Sequence, residues 1–184
     1  MCQVNTFIQQ LDSCPLGKKG WGQFENLCTD ILKFLFVPPL NDPYPQARTY
    51  SGTNRRDAIF PNRNISATDD PIVKNWYHLY LELNARMILF EFKNFDAEDI
   101  GHTEVNQTKN YMTDPMGNLA IMICSKEPIE SAHRQRNSIF SQDKKIILFI
   151  TKEQLKEMLA MKDRGEQPSD LIVDLIEHFY IQHE

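Results

Sequence analysis

The chain has 184 residues, of which 41% are hydrophobic and 24% charged, and its net charge is −5 at pH 7. These values are typical of a globular protein with one sizeable core, and they exclude a disordered chain, a collagen-like repeat and a coiled coil. The negative charge also excludes a protein that coats nucleic acid non-specifically. We expect a single domain over 1–184, with a core over 20–150 and C-terminal helices over 151–184 that could lead to a further module.

Cysteine and histidine usage and the apolar runs indicate the compartment. The four cysteines form neither a C-x-x-C pair nor a zinc-ligand spacing, and they are Cys2, Cys14, Cys28 and Cys124. The histidines are also scattered without zinc-ligand spacing. The longest dense apolar run, 146–150, is far shorter than the ~20 residues of a membrane span, and residues 1–16 lack the basic side chains of a secretory signal. We therefore expect a reduced, cytoplasmic protein with no membrane partner.

The first part of the chain predicts two helices, over 4–11 and 20–36. The apolar residues of the second helix recur at helical spacing and form one stripe, which consists of Phe24, Leu27, Cys28, Ile31, Leu32, Leu35 and Phe36. Glu25 lies on the flank of this stripe, about 100° from Phe24. Its carboxylate is therefore directed toward the rim of the surface on which the helix packs.

Prolines and a glycine punctuate the next segment. Four prolines between positions 38 and 45 predict a loop, and 48–51 and 56–60 predict two short strands around a turn at Gly52-Thr53-Asn54. Asp70 and Pro71 predict the start of a helix that runs to about Leu83. We expect this helix to bury Ile72, Trp76, Leu79, Tyr80 and Leu83, and we expect Trp21 also to pack in the core or between helices.

The second half of the chain alternates between apolar strands and helices. The patterns predict strands over 87–95, 118–124 and 146–150, and helices over 103–112, 129–141 and 169–181. A further helix is opened by a capping box between Thr151 and Gln154. This order of elements predicts an α/β protein of three layers, in which helices flank a central mixed β-sheet.

The strand over 87–95 carries two charges in an apolar setting. Because side chains alternate along a strand, Glu91 and Lys93 share one face while the neighbouring phenylalanines share the other. An acid and a base on such a strand are unfavourable unless they pair with each other or bind a ligand. The simple alternative is a salt bridge at a sheet edge.

Other predicted elements carry polar residues of the same kind. Glu25 lies on a helix, Asp57 in a short strand, and Gln107 four residues before Tyr111 on a helix. The order of these residues along the chain is a helical Glu, an Asp, a Glu-x-Lys and a Gln-x-x-x-Tyr. This order resembles the PD-(D/E)XK nuclease superfamily and, more narrowly, its restriction-endonuclease-like branch, often called Mrr-like.

The resemblance covers 20–150. It is carried by three signatures, which are Arg56-Asp57-x-x-Phe60, Phe90-Glu91-Phe92-Lys93-Asn94 and Gln107-x-x-x-Tyr111. The chain departs from the family's pattern in two respects. No proline precedes Asp57, and an insertion that contains a helix separates Asp57 from Glu91.

The resemblance implies a restriction-endonuclease-like fold and a Mg²⁺ site, in which Mn²⁺ would substitute. Asp57, Glu91 and the backbone carbonyl of Phe92 would be the metal ligands, and hard oxygen ligands of this kind suit Mg²⁺. Glu25 would bind the metal through water or hold a second ion. The alternatives are an ordinary turn acid for Asp57 and a paired acid on the helix flank for Glu25.

The resemblance also implies roles for the neighbouring residues. Lys93 would orient the attacking water or neutralise charge at the phosphate, and Gln107 would position Lys93, supported by Tyr111. Three basic residues would contact the nucleic-acid backbone, namely Arg55, Arg56 and Lys109. For both arginines a solvated surface position is an equally good interpretation, and Gln107 and Tyr111 could simply be a surface residue and a core residue.

The function implied is metal-dependent endonuclease cleavage of DNA, with RNA as the other candidate substrate, in bacterial restriction or anti-phage defence. A homodimer would allow both strands to be cut, and a sensor or ATPase module could lie on the same or a partner chain. Two alternatives remain open. One is a catalytically inactive relative that binds nucleic acid or a partner protein, and the other is a structure-specific, junction-resolving nuclease of the same fold.

Overall fold

The structure, a computed structural model, describes residues 3–52, 55–63 and 66–183. Within these ranges one five-stranded sheet has its strands in sequential order. The strands are β1 (Tyr44–Arg48), β2 (Arg55–Pro61), β3 (Met87–Lys93), β4 (Leu119–Cys124) and β5 (Ile146–Thr151). The first three strands pair antiparallel and the last three pair parallel, so the sheet is mixed.

Helices occupy both faces of the sheet. They are α1 (Gln3–Ser13), α2 (Trp21–Phe36), α3 (Pro71–Leu83), α4 (His102–Tyr111), α5 (Glu130–Asp143), α6 (Lys152–Asp163) and α7 (Pro168–Gln182). Two short 3₁₀ turns span Gly17–Lys19 and Asp114–Met116. No helix in the described part of the chain is long and apolar enough to cross a membrane.

Two hydrophobic cores give the protein its three layers. The larger core lies between one sheet face and α1, α2, α3, α6 and α7, and the smaller core lies between the other face and α4 and α5. In β2 to β5 alternate residues enter opposite cores, as Phe90 and Leu89 do in β3. All six residues of β4 are buried because the strand is covered on both faces. The predicted three-layer α/β fold with a mixed sheet is therefore confirmed.

The proline-rich segment differs from the prediction. The structure has β1 at Tyr44–Arg48 rather than a strand over 48–51, and the segment predicted as a loop contains its first residues. Pro45 is tolerated because β1 is an edge strand, which pairs with β2 on one side. Gly52 takes a left-handed φ of 72°, as a turn residue does, whereas Thr53 and Asn54 of the predicted turn lie outside the described residues.

The predicted helix signals are largely confirmed. The carboxylate of Asp70 accepts a hydrogen bond from the Ile72 backbone N–H at 2.9 Å and caps α3. Trp76 and two leucines of α3 are buried, but Ile72 is 45% exposed and lies outside the buried face. Trp21 is also a correction, because half of its surface is exposed at the start of α2.

The packing of α3 can be tested with two leucines on the same helix. Leu79→Ala should lower the free energy of unfolding by about 2–5 kcal/mol, because Leu79 is buried and its loss leaves a cavity. The control Leu81→Ala removes an exposed side chain and should change it by no more than about 0.5 kcal/mol. Urea denaturation followed by circular dichroism measures both values, and equal losses would contradict this packing.

Candidate active site

The candidate site lies where β2 stops pairing with β3. Their antiparallel pairing runs from Pro61↔Met87 to Ala58↔Phe90. At the next position the carboxylate of Asp57 accepts the Phe92 backbone N–H at 2.9 Å, and the carboxylate of Glu91 accepts the Asp57 backbone N–H at 3.4 Å. These side chains therefore satisfy backbone groups at the end of the pairing and bring the two carboxylates together.

Lys93 lies against this pair of acids. Its Nζ is 3.7 Å from Glu91 Oε2 and donates a hydrogen bond to Gln107 Oε1 at 3.0 Å. The Gln107 side-chain amide donates in turn to the Tyr111 hydroxyl at 2.8 Å. Gln107 and Tyr111 are one turn apart on α4, so the helix supports the lysine through two successive hydrogen bonds. The structure thus brings Lys93, Gln107 and Tyr111 together in the order implied by the resemblance.

A second acid–base group adjoins the first. Arg55 at the start of β2 lies 3.8 Å from Glu25 Oε2 and 4.0 Å from Asp57 Oδ1. Glu25 is buried on α2, and the side chain of Gln46 in β1 lies beside its carboxylate. Gln46 stands opposite Asp57, between the pairs Pro45↔Ala58 and Ala47↔Arg56, with a left-handed φ of 49°.

Burial raises the pKa of every carboxyl in this group. The pKa of Glu91 is raised from 4.5 to about 8 by burial and then by the charge of Asp57. Burial also raises the pKa of Asp57, although its hydrogen bond from Phe92 and the charges of Lys93 and Arg55 oppose the effect. The pKa of Glu25 is raised by burial and by the charge of Asp57. Three carboxylates beside two cations leave an excess of negative charge when all are ionised.

The donor set fits a hard divalent cation. No group of three or more His, Cys, Asp or Glu side chains is arranged to hold a metal ion within the described ranges. Mg²⁺ does not need such a cage, since it keeps several waters and binds through one or two carboxylates. Asp57 and Glu91 supply two adjacent, buried carboxylates whose ionisation a cation would favour. The residues present therefore fit Mg²⁺.

Arg56 is a correction to the sequence analysis. Its side chain is buried, its Nε donates to the backbone carbonyl of Tyr111 at 3.0 Å, and its Nη2 donates to Thr113 Oγ1 at 3.3 Å. The guanidinium is therefore used to anchor β2 to the C-terminal end of α4 rather than being presented to a nucleic acid. In this way it holds the helix that carries Gln107.

Lys109 pairs with an acid outside the candidate site. Its Nζ lies 2.9 Å from Asp143 Oδ2 at the end of α5. The structure therefore brings Arg55 to the candidate site, but neither Arg56 nor Lys109. Sequence reasoning missed Gln46, because the proline-rich segment predicted a loop and only the pairing of β1 with β2 places Gln46 beside Glu25.

Part of the chain is similar to part of a longer bacterial protein. No family model matches this chain, and no solved structure matches it. A similar protein from Escherichia coli (strain K12), named as a transposon gamma-delta protein of 80.3 kDa, is 31% identical over 122 residues. The match covers 65% of this chain and 16% of that protein, so the chain corresponds to about a sixth of the relative's length.

The raised pKa of Glu91 predicts a pH-dependent stability in EDTA. Below pH 4.5 the carboxyl is protonated in both states, and above pH 8 folding must bury its charge. The parent should therefore lose stability as the pH rises through this window, and Glu91→Gln should be increasingly more stable than the parent. Thermal unfolding from pH 4.5 to 8.5 measures the difference, with the exposed Asp69→Asn as control. A difference that does not change with pH would contradict the prediction.

The role of Arg56 can be tested separately. Arg56→Gln should lower the free energy of unfolding by about 1–3 kcal/mol, because the backbone carbonyl of Tyr111 loses a buried donor. Arg48→Gln is the matched control, since Arg48 is exposed on β1. Chemical denaturation compares the two variants. A larger loss in Arg48→Gln would mean that Arg56 does not anchor β2 to α4.

Proposed function

We propose that this protein is a Mg²⁺-dependent nuclease of the PD-(D/E)XK superfamily, with a restriction-endonuclease-like fold, that hydrolyses phosphodiester bonds of DNA. The observation that carries this proposal is the position of Lys93. It is buried, adjoins the carboxylates of Asp57 and Glu91, and is held by Gln107, which is itself held by Tyr111. A surface salt bridge does not need a lysine that is buried and held by two successive hydrogen bonds, whereas a functional site does.

Lys93 would act on the phosphate or on the attacking water. A lysine ammonium is a compact point charge with three donors, and one of them is used by Gln107. The remaining donors would orient the water or stabilise negative charge on the phosphoryl oxygens. Because Gln107 and Tyr111 restrict the lysine, the charge is pre-positioned and needs little reorganisation during the reaction.

Asp57 and Glu91 would hold Mg²⁺, with the backbone carbonyl of Phe92 as a further ligand by resemblance. A bound Mg²⁺ would stabilise phosphate charge and lower the pKa of a coordinated water. Glu25 adjoins this pair through Arg55 and would bind the metal through water or take part in holding a second ion. The shared burial of these carboxylates favours cation binding, since the cation supplies the positive charge that two nearby side chains only partly provide.

The substrate would approach at the partly exposed Arg55, beside Asp57. With a net charge of −5, the protein should bind DNA weakly and lose affinity steeply with salt unless a partner supplies basic surface. A sensor or ATPase module on the same or a partner chain would provide that surface, and a homodimer would allow both strands to be cut. We propose further that the protein acts in bacterial restriction or anti-phage defence in the cytoplasm. Its proposed substrate is DNA rather than RNA. The E. coli relative is named for a transposon and its name states no activity.

Plasmid cleavage tests the proposal. With Mg²⁺ or Mn²⁺ the protein should nick or linearise supercoiled DNA, and EDTA should abolish the reaction. Lys93→Ala should reduce the rate by at least ~100-fold, because pre-positioned charge on the transition state is lost. Asp57→Asn should be similarly impaired, because it removes a metal ligand.

The control variants make the same substitutions at a lysine and an aspartate outside the candidate site. Lys74→Ala and Asp42→Asn change exposed residues and should cleave like the parent. If the parent does not cleave, calorimetry with Mn²⁺ decides between an enzyme that needs an activator and an inactive relative. Binding by the parent but not by Asp57→Asn would support the enzyme. Absence of both cleavage and metal binding would overturn the proposal.

A further inference from the structure

A second concave surface adjoins the candidate site at the C-terminal end of β3. It is a pocket of about 570 Å³ between two segments, 16–21 and 94–98. This volume lies within the range of small-molecule sites, roughly 300–1,000 Å³. None of the roles implied by the nuclease resemblance uses this pocket.

Both walls of the pocket continue elements that carry the candidate site. Asn94 directly follows Lys93 at the end of β3, and Trp21 precedes Glu25 by one turn of α2. Residues four apart lie on the same side of a helix. The pocket therefore adjoins the candidate site along both β3 and α2.

The floor of the pocket is apolar and includes an exposed tryptophan. Trp21 is 50% exposed and Leu16 is 45% exposed, and the half-buried Phe95 lies on the opposite wall. Trp76, by comparison, is buried against Phe36 in an edge-to-face contact. A large aromatic face left in solvent within a concave surface is a typical feature of a binding site.

The polar groups of the pocket are of two kinds. Lys18 and Lys19 are exposed on the 3₁₀ turn, whereas Asp96 and Glu98 are exposed on the opposite segment. Asn94 is 4% exposed and donates to the Pro15 carbonyl at 2.9 Å. Its Oδ1 has no hydrogen-bond partner among the residues that the structure describes. The pocket thus combines two exposed cations with two exposed carboxylates around an aromatic face.

The walls are held in place by contact with each other and by hydrogen bonds to residues 125 and 126. Gly17 has a left-handed φ of 70°, and a Cβ built on it would lie 3.3 Å from Asp96 Cβ, so the segments meet closely. The Phe95 backbone N–H and carbonyl both bond to Ser125 Oγ, at 2.9 and 3.1 Å. Lys126 Nζ donates to the Asp96 carbonyl at 3.0 Å. The pocket is therefore preformed.

We propose that this pocket binds one unpaired nucleotide of the substrate strand, with its base stacked on Trp21. A nucleotide has the matching chemistry, which is a planar face, N–H donors on the base edge and an anionic phosphate. The base would donate to Asp96 or Glu98, as carboxylates accept from cytosine N4, and the phosphate would lie near Lys18 and Lys19.

This inference rests on the proposed function and specifies its substrate class. A base within a duplex cannot stack on a side chain in a pocket unless it is first extruded from the helix. The preferred substrate is therefore a strand with unpaired nucleotides, such as single-stranded DNA, a flap or the locally unwound part of a negatively supercoiled plasmid, rather than a relaxed duplex.

Tryptophan fluorescence tests the proposal directly, because Trp21 is the accessible tryptophan and Trp76 is buried. The experiment uses Lys93→Ala in EDTA, which removes cleavage from the measurement. A short oligodeoxyadenylate should quench the emission in a saturable manner, and a blunt duplex of equal length should quench it less. An oligoriboadenylate titrated in parallel shows whether DNA or RNA is preferred.

Variants in the same background assign the effect to the pocket. Trp21→Ala should weaken binding of a dye-labelled oligonucleotide on the order of 5- to 150-fold, and Trp21→Phe should retain part of the affinity because it keeps an aromatic face. Replacing Lys18 and Lys19 by Gln should weaken binding and reduce its salt dependence. Lys74→Gln, on α3, is the charge control.

The two hypotheses fail in different ways. Saturable quenching by a parent that neither cleaves DNA nor binds Mn²⁺ would support the pocket and overturn the nuclease. Cleavage without quenching, or equal binding by Trp21→Ala and the parent, would overturn the pocket alone. A change in Trp21 emission with protein concentration, without oligonucleotide, would mean that a second copy of the chain covers the pocket and would also overturn the proposal.

Discussion

The candidate site depends on one constraint, which is the need to satisfy backbone N–H groups where β2 stops pairing with β3. Asp57 accepts the N–H of Phe92, and Glu91 accepts that of Asp57. A buried N–H without a partner is unfavourable, so these two carboxylates are fixed by the same requirement that shapes the sheet. The geometry of the site is therefore a consequence of the fold rather than an addition to it.

That constraint creates an electrostatic problem which connects stability with the proposed chemistry. Two carboxylates held this closely in a buried position disfavour each other's ionisation, and Lys93 offsets only part of the charge. A bound divalent cation would relieve the remaining repulsion and would use the carboxylates as ligands. A metal-free protein is then expected to be less stable than the metal-bound protein, since ligand binding to the folded state stabilises it. The pocket at Trp21 adjoins this strand end because its walls continue β3 and α2.

The sequence by itself determined the elements that follow from local periodicity. The stripe on α2, the cap at Asp70 and the continuous apolar strand β4 depend on residues close together in the chain, and each is present as predicted. Strand alternation also determined that Glu91 and Lys93 share a face, since this requires only a period of two. The three-layer α/β arrangement followed from the order of these elements.

Only the tertiary structure decided which distant side chains meet. Arg55 and Arg56 are adjacent in sequence, yet Arg55 reaches Glu25 and Asp57 whereas Arg56 is buried against the end of α4. Gln46 reaches Glu25 because β1 pairs with β2, although its proline-rich neighbourhood predicted a loop. Trp21 fits a helix pattern but remains exposed. Periodicity specifies the face of a residue within its own element, whereas its partners depend on how separate elements pack.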